Sequence, residues 1–301
     1  MLDQPNILLI TSDQQHPDTL GFLNPKIKTP NFDRMAKRGT NFTRAYTTTP
    51  VCTPARATII TGQYPSTHGA WTIGVNMDEA KPTVGDEFRK HGYRSTLVGK
   101  AHFTALKSDP DGPGGVSYEC QPTLRDLDFW RSFNETHTPW FGFDHVELAR
   151  MHGDESHTGQ HYAIWMEEKG LTDWADYFYR VDGRPGPKAP KPAKGPAYGW
   201  RENGHWELPE QFHYTTWTAE RTIANIEEDV KAGRPFFMWS SFHDPHPPYV
   251  VPEPWASMYD PADMPIGELD PRELETMCDF VKRTQQPKPD YSDFTDEDGF
   301  G

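Results

Sequence analysis

Residues 52–62 read Cys52-Thr53-Pro54-Ala55-Arg56-Ala57-Thr58-Ile59-Ile60-Thr61-Gly62. Pro54 suits the first turn of a helix, because its missing N–H would have no partner there, and we expect Thr53 to be the N-cap. Gly62 can end the helix in a left-handed conformation. The stretch therefore predicts a short helix with a potential nucleophile, Cys52, at its start and Arg56 one turn later. Free N–H groups and an arginine at a helix start favour binding of a tetrahedral oxyanion.

The sequence on either side of this stretch alternates apolar runs with helical patterns. Three apolar runs predict buried parallel strands, at Asn6–Thr11, Tyr93–Gly99 and Pro235–Phe242. A further short strand is predicted at Thr40–Thr47. Besides 54–62, helices are predicted from Pro30 to about Gly39, from Thr83 to about His91, and at Thr216–Lys231. Alternation of strands and helices is typical of an α/β fold with a doubly wound sheet.

Polar side chains follow each of the three predicted strands. Asp13 and Gln14 follow the first, Lys100 and His102 the second, and His243 and His246 the third. Ligands of open α/β sheets bind at the carboxyl ends of the strands. We therefore expect these side chains to converge on one pocket with the helix that begins near Cys52. Carboxylate and amide oxygens such as those of Asp13 and Gln14 suit a hard divalent cation.

The pattern Cys-x-Pro-x-Arg followed by Thr-Gly resembles the signature of the type I sulfatases, formylglycine-dependent, arylsulfatase-like enzymes of the alkaline-phosphatase-like superfamily. Further motifs resemble that family in the same order along the chain: Pro5 to Gln14, Thr29 to Ala36, Val98-Gly99-Lys100-Ala101-His102, and Phe242 to Pro248. The resemblance covers roughly residues 5 to 255. It implies an alkaline-phosphatase-like mixed sheet with helices on both faces.

The resemblance also implies a site. Cys52 would be oxidised to formylglycine by a maturation system, and its hydrated aldehyde would attack the sulfur of a sulfate ester. Asp13, Gln14 and the side chain at position 52 would bind Ca²⁺, with Mg²⁺ or Mn²⁺ as alternatives. Arg56, Lys100 and His102 would hold the nucleophile and the transferring group. His246 would assist departure of the alcohol; it matches the family's histidine better than His243 does, and the spacing leaves room for either. The substrate would be a small-molecule or glycan sulfate ester.

Composition restricts the other partners and the location. The chain has 301 residues and a formal net charge of −14, which argues against nucleic acid or an anionic membrane as a partner. Three cysteines do not form a disulfide framework. The first residues lack the features of a secretory signal peptide, and no apolar stretch is long enough to span a membrane. These observations favour a cytoplasmic protein.

Two parts of the chain depart from the strand–helix alternation. Residues 104–215 are rich in aromatic residues, His, Gly and Pro, and are interpreted as a loop-rich insertion over the active-site face. The acidic, proline-rich residues 257–301 are expected to form a poorly ordered tail. Relatives in the family also carry a second pair of metal ligands after a late strand, for which Asp144-His145 and Asp298-Gly299 are no match. We therefore expect an N-terminal part of a sulfatase catalytic domain whose C-terminal part is missing.

Three functional interpretations remain open at this point. The first is a sulfuric ester hydrolase, and the second is a phosphonate monoester or phosphodiester hydrolase of the same superfamily, which Gln14 favours because many sulfatases have aspartate there. The third is a truncated, non-catalytic fragment. Should the site nevertheless prove complete, additional metal ligands would have to come from the insertion, where His152, Asp154 and Glu155 are the candidates.

Overall fold

The structure, a computed structural model, describes residues 4–105, 116–190, 203–264, 270, 272–284 and 286. The chain divides into two compact units, Met1–Ala256 and Ser257–Gly301. The described part of the second unit contains two short helices. The remaining residues of the predicted tail, and parts of the predicted insertion, lie outside the described residues.

A parallel sheet forms the centre of the first unit. Its strands in chain order are β1 (Ile7–Thr11), β2 (Arg94–Gly99), β3 (His145–Leu148) and β5 (Phe236–Ser241), and their order across the sheet is β1-β5-β2-β3. A separate parallel pair joins β4 (Asn203–His205) to β6 (Tyr249–Val251). All the pairings in the four-stranded sheet are parallel, so its carboxyl ends lie along one edge.

Within the described residues, the four predicted helices are present as the first, second, fourth and seventh of nine α-helices, and the other five were not predicted. The bounds of these helices are α1 (Pro30–Arg38), α2 (Cys52–Thr61), α3 (Pro65–His68), α4 (Val84–Lys90), α5 (Leu127–Thr136), α6 (Gln160–Glu168), α7 (Tyr214–Ala232), α8 (Glu273–Thr276) and α9 (Asp279–Thr284). Thr83 caps α4 through a reciprocal capping box with Asp86. Gly62 ends α2 with φ 66°, a left-handed conformation that glycine adopts without steric cost.

Helices cover both faces of the sheet, as predicted. Phe237 and Ser240 point to opposite faces of β5, because side chains alternate along a strand. On one face, Phe88 of α4 stacks on Phe237 with ring centroids 4.6 Å apart. On the other face, the hydroxyl of Thr222 on α7 lies 2.7 Å from that of Ser240. The α/β fold class is thereby confirmed.

Two clusters of buried apolar side chains stabilise the first unit. The first joins the sheet to α2 and α5 and includes Ile60, Leu97, Trp130, Val146 and Trp239. The second lies around α6 and the start of α7 and includes Tyr162, Trp206 and Trp217. Large aromatic side chains bury much apolar surface each. This explains how a chain with only 35% hydrophobic residues builds a core.

Two local predictions are wrong. Residues 40–47 form no strand; their side chains are exposed and they pair with no other strand among the described residues. Helix α2 begins at Cys52, and its N-cap is Val51 rather than Thr53. The first helical hydrogen bond runs from the N–H of Ala55 to the carbonyl of Val51 at 3.0 Å. Pro54 fits inside this first turn because the N–H groups there have no partner within the helix.

The predicted insertion at 104–215 is more regular than its composition indicates. It contains α5 and α6, and it supplies β3, which pairs with β2 in the central sheet. Strand β3 was not predicted, and Asp144 precedes it rather than following a strand, so Asp144-His145 remains no match for the family's second pair of metal ligands. Asp144 lies at the amino end of β3, where its carboxylate accepts hydrogen bonds from Arg89 at 2.6 Å and from the N–H of Ser95 at 3.1 Å. Within the described residues, no helix is long and apolar enough to cross a membrane.

Candidate active site

The carboxyl ends of three strands meet at the start of α2. Asp13 follows β1, Lys100 follows β2 and Ser241 ends β5. The N–H of Lys100 donates to the carbonyl of Ser241 at 3.0 Å, and the N–H of Asp13 donates to the carbonyl of Asp244 at 3.2 Å. These bonds continue the sheet past the ends of its strands. They fix the backbone from which the candidate side chains project.

Arg56 ties the three strand ends together. Its Nη1 donates to the carbonyl of Lys100 at 2.6 Å and to the hydroxyl of Ser241 at 2.8 Å, and its Nη2 donates to Asp13 Oδ2 at 3.3 Å. The side chain is buried, and its guanidinium lies over the ring of Trp239 at 5.8 Å. A planar guanidinium can make several such bonds at fixed angles, which a lysine cannot. Arg56 therefore holds the three strand ends in place and also adds a positive charge to the site.

Lys100 lies at the centre of the site and is fully buried. Its Nζ contacts Asp13 Oδ2 and the Nε2 of His152, and lies 3.5 Å from Cys52 Sγ. An ammonium has three donors, and these three neighbours match that number. Lys100 is therefore held in one position beside the candidate nucleophile.

The charges of this cluster determine its protonation. Burial raises the pKa of the Asp13 carboxyl, but the charges of Lys100 and Arg56 outweigh burial and hold that pKa well below its usual range. Burial and the charge of Arg56 lower the pKa of Lys100. Burial also raises the pKa of the Cys52 thiol, whereas a hydrogen bond with His246 and the charge of Lys100 lower it, and the net pKa is below the ordinary value. Thiolate formation at Cys52 is therefore favoured.

His152, which the sequence suggested only as a candidate additional metal ligand, lies in the site. Its Nδ1 lies 3.2 Å from the Glu155 carboxylate, and its backbone N–H donates to the same oxygen at 3.1 Å. Because Nε2 accepts from Lys100, the proton of the neutral ring belongs on Nδ1. Burial, followed by the charge of Lys100, holds the pKa of His152 well below its usual range.

The two histidines after β5 have different surroundings. His246 stacks on His152 with centroids 3.8 Å apart, and its Nδ1 lies 2.5 Å from the Pro247 carbonyl. His243 is buried instead against the end of β3, where its Nε2 donates to the carbonyl of Ala149 at 2.7 Å. Burial first of all lowers the pKa of His243 to about 4. The geometry thus brings His246, and not His243, to Cys52.

His102 lies next to the cluster without a bonded partner for its ring. Its φ of 57° is maintained by Glu119, whose carboxylate accepts from the N–H groups of His102, Phe103 and Thr104 at 2.7 to 2.9 Å. Both ring nitrogens are buried and have no hydrogen-bond partner within the described residues. Burial, followed by the charge of Arg150, holds the pKa of His102 well below its usual range. A neutral imidazole with two open positions is thereby available.

Gln14 is the next residue in the chain after the buried Asp13. It has a φ of 54°, and its side chain is exposed. The potential metal ligands that do converge are Asp13, His152 and His246, each offering one atom, and these atoms lie within 4.8 Å of one another. A carboxylate with two imidazoles suits an ion such as Zn²⁺ or Mn²⁺, whereas Ca²⁺ gathers six to eight oxygens. Of the predicted set of Asp13, Gln14 and Cys52, Asp13 and Cys52 both lie beside Lys100 Nζ; the set as a whole stays a prediction.

Comparison with known proteins identifies the family. The model of the Sulfatase family matches residues 5–287. The chain therefore belongs to the sulfatase family, as the sequence motifs indicate.

Individual relatives give a consistent result. The chain is 27% identical over 268 residues to the uncharacterized sulfatase YidJ of Escherichia coli (strain K12), and this covers 89% of the chain and 44% of that protein. It is also 27% identical over 281 residues to the multifunctional alkaline phosphatase superfamily protein PehA of Trinickia caryophylli, over 88% of the chain and 46% of the relative. Among solved structures, the phosphonate monoester hydrolase SpPMH from Silicibacter pomeroyi is similar, with 27% identity and a TM-score of 0.64 over 91% of the chain and 48% of the other. The chain thus spans about half the length of the relatives it matches.

Proposed function

We propose that this chain carries the nucleophile half of a sulfuric ester hydrolase site, with Cys52 matured to formylglycine by a dedicated maturation system. One observation carries the proposal: Cys52 Sγ lies 3.5 Å from the Nζ of Lys100, which also contacts Asp13. Sulfate transfer requires a nucleophile, a cation for the sulfate oxygens and a proton for the leaving alcohol. Membership of the sulfatase family supports the same chemistry.

The chain's own side chains divide this work. Lys100 holds its positive charge in a fixed position beside residue 52, where it would attract the sulfate oxygens, and in a buried site such a charge acts more strongly than in water. The ring of His102 is available to bind a further oxygen. His246 holds its Nδ1 proton against the Pro247 carbonyl, so its Nε2 is the atom that exchanges a proton with the leaving alcohol. When present, the formylglycine aldehyde at position 52 would supply the nucleophilic oxygen in hydrated form.

The metal in this proposal is held by Asp13 with His152 as a further donor; His246 converges on the same point, but its Nε2 serves the leaving alcohol and is not counted as a ligand. The mixed donor set favours Mn²⁺ or Zn²⁺ over Ca²⁺. A bound cation would supply charge neutralisation near the nucleophile. The ammonium of Lys100 already contacts Asp13 and His152, so metal and lysine compete for the same atoms.

The second candidate is a phosphonate monoester or phosphodiester hydrolase. Similarity to SpPMH and the glutamine at position 14 favour it. The two activities differ in the central atom and its charge, while the nucleophile and its surrounding cations are shared.

Turnover assays on the matured protein separate these candidates. We would co-express the chain with a formylglycine-generating system and establish conversion of Cys52 from the mass of its tryptic peptide. The values of kcat/KM are then compared for an aryl sulfate, a phosphodiester and a phosphonate monoester with one leaving group. Preference for the sulfate supports the proposal, and preference for a phosphorus ester overturns it in favour of the second candidate. Loss of all turnover in Cys52→Ala is the control, and a matured chain with no turnover on any ester would contradict both candidates.

A further inference from the structure

A groove runs beside His246 between α7 and the segment after β5. We call it the α7 groove; it has a volume of about 940 Å³, and its walls are the face of α7 from Thr216 to Glu227 and residues 244–255. The side chains of α7 that line it recur at intervals of three and four residues, which places them on one face of the helix. His246 lines the groove and also contacts the cluster around Cys52. The groove therefore continues from the candidate leaving-group histidine.

The surface of the groove is apolar and aromatic. Ile223, Tyr249 and Trp255 line it and are each more than half exposed. Side chains of this kind grouped on an open surface are typical of ligand-binding grooves. Tyrosine and tryptophan also present electron-rich ring faces, which attract cations.

The charges that line the groove in the described part of the chain are all of one sign. Among those residues the lining includes Glu210, Glu220, Glu227 and Asp244 but neither lysine nor arginine. Glu220 is paired with Lys169 at 2.9 Å, and Asp244 accepts a hydrogen bond from Tyr214 at 2.7 Å. Glu227 is exposed and has no ion pair among the described residues. An anionic ligand would be repelled here, and a cationic one attracted.

We propose that the α7 groove binds the alcohol part of the substrate, and that this alcohol carries an ammonium group on a short apolar body. The inference rests on the proposed function, because it places the ester oxygen at His246. A sulfate ester of such an alcohol is negative at one end and positive at the other. The cationic cluster of Lys100 and Arg56 matches the first end, and the carboxylates and aromatic rings of the groove match the second. Esters of alcohols that bear additional sulfate or carboxylate groups fit this surface poorly.

Binding to the unmatured chain tests the inference without turnover. We would titrate the purified 301-residue chain, with Cys52 as thiol, by calorimetry using choline and its neutral isostere 3,3-dimethylbutan-1-ol. We expect choline to bind about tenfold more tightly, because only choline gains from the carboxylates and ring faces. Glu227→Gln and Trp255→Leu should each weaken choline binding roughly two- to fivefold.

The matched control is Glu228→Gln, which removes the same charge from the adjacent residue of α7. Glu228 is paired with Arg234 at 2.8 Å and does not line the groove, so choline affinity should be unchanged. Equal affinity for choline and its isostere, binding of neither, or an equal loss in Glu227→Gln and Glu228→Gln would overturn the inference. Circular dichroism establishes that each variant is folded. Sulfatase turnover without choline binding would contradict only this inference, whereas choline binding without turnover would contradict only the proposed function.

Discussion

The imidazole rings of His152 and His246 stack with their centroids 3.8 Å apart and their planes 15° from parallel. His246 comes from the end of β5, and His152 comes from the segment after β3. The candidate leaving-group histidine thus rests on a ring supplied by a part of the chain that no motif marks. Glu155 fixes that ring in turn through Nδ1. The side chains of His246 and Lys100 are therefore oriented partly by His152, a residue outside the sequence motifs.

Substitution of His152 should lower turnover. We expect His152→Ala to reduce kcat roughly 10- to 100-fold, as for other residues that orient active-site groups, because His246 loses its stacking partner and Lys100 loses an acceptor. His152→Gln, which can accept from Lys100, should recover part of this loss. Steady-state kinetics of the matured protein provide the measurement, and His16→Gln at an exposed position is the control. A change confined to KM would contradict the orienting role.

Substitution of Arg56 should destabilise the whole sheet. Arg56→Met leaves Asp13 with one cationic partner and two strand-end acceptors without a donor, and we expect the free energy of unfolding to fall by about 3–5 kcal/mol. Arg56→Lys should recover only part of the lost free energy of unfolding, because an ammonium cannot reach all three acceptors. Urea denaturation measures the change. Arg34→Met on the exposed face of α1 is the control; an equally small effect at both positions would refute the prediction.

Glu147 should make stability depend on acid pH. Burial raises its pKa, but hydrogen bonds with His145 and Arg221 outweigh burial and lower the pKa from 4.5 to about 2 in the folded state. A carboxyl with a depressed folded pKa stabilises the protein above its unfolded pKa, and this contribution is lost as pH falls from about 4.5 to about 2. The difference corresponds to roughly 3 kcal/mol.

The comparison for this prediction is Glu147→Gln. The variant should be less stable than the parent at pH 7 and should lose less stability than the parent between about pH 4.5 and 2. Urea midpoints measured across that range provide the data. Parallel curves for parent and variant would show that other carboxyls carry the acid dependence.

Cys52 should react faster than the other two cysteines in the unmatured chain. Cys120 is buried, whereas Cys278 is exposed, and the lowered pKa of Cys52 increases its thiolate fraction. Lys100→Met should raise the pKa of Cys52 and shift its alkylation profile to higher pH. Iodoacetamide labelling followed by peptide mass spectrometry measures each rate. An unchanged profile in Lys100→Met would mean that the lysine does not stabilise the thiolate.

Sequence patterns predicted the strands and the polar residues that form the site, because each pattern involves only residues close together in the chain. Strands β1, β2 and β5 are apolar runs, and the polar residues after them converge as the geometry of a parallel sheet requires. Asp13, Arg56, Lys100 and His246 follow from such patterns. The start of α2 was misplaced because Thr53 and Pro54 fit two adjacent positions in a first helical turn equally well.

The remaining features depend on contacts between distant segments. β3 has only four residues, His-Val-Glu-Leu. Its pairing with β2 identifies it as a strand much more clearly than its sequence does. His152 joins Lys100 across 52 residues of sequence, and no spacing rule connects them. The one available sequence signal for β3 was the alternation of apolar Val146 and Leu148 with the polar residues beside them, within an aromatic-rich segment. Glu119, which shapes the turn at His102, gave none.

The bonds of Arg56 have a consequence for the order in which the protein acquires its site. One guanidinium contacts groups from β1, β2 and β5, which are more than 40 and up to 185 residues away along the chain. It can make these bonds only after all three strands have docked in register. An intermediate that lacks any one of them has the cysteine but not its charged surroundings. Reactivity at position 52 is thereby withheld until the sheet is assembled.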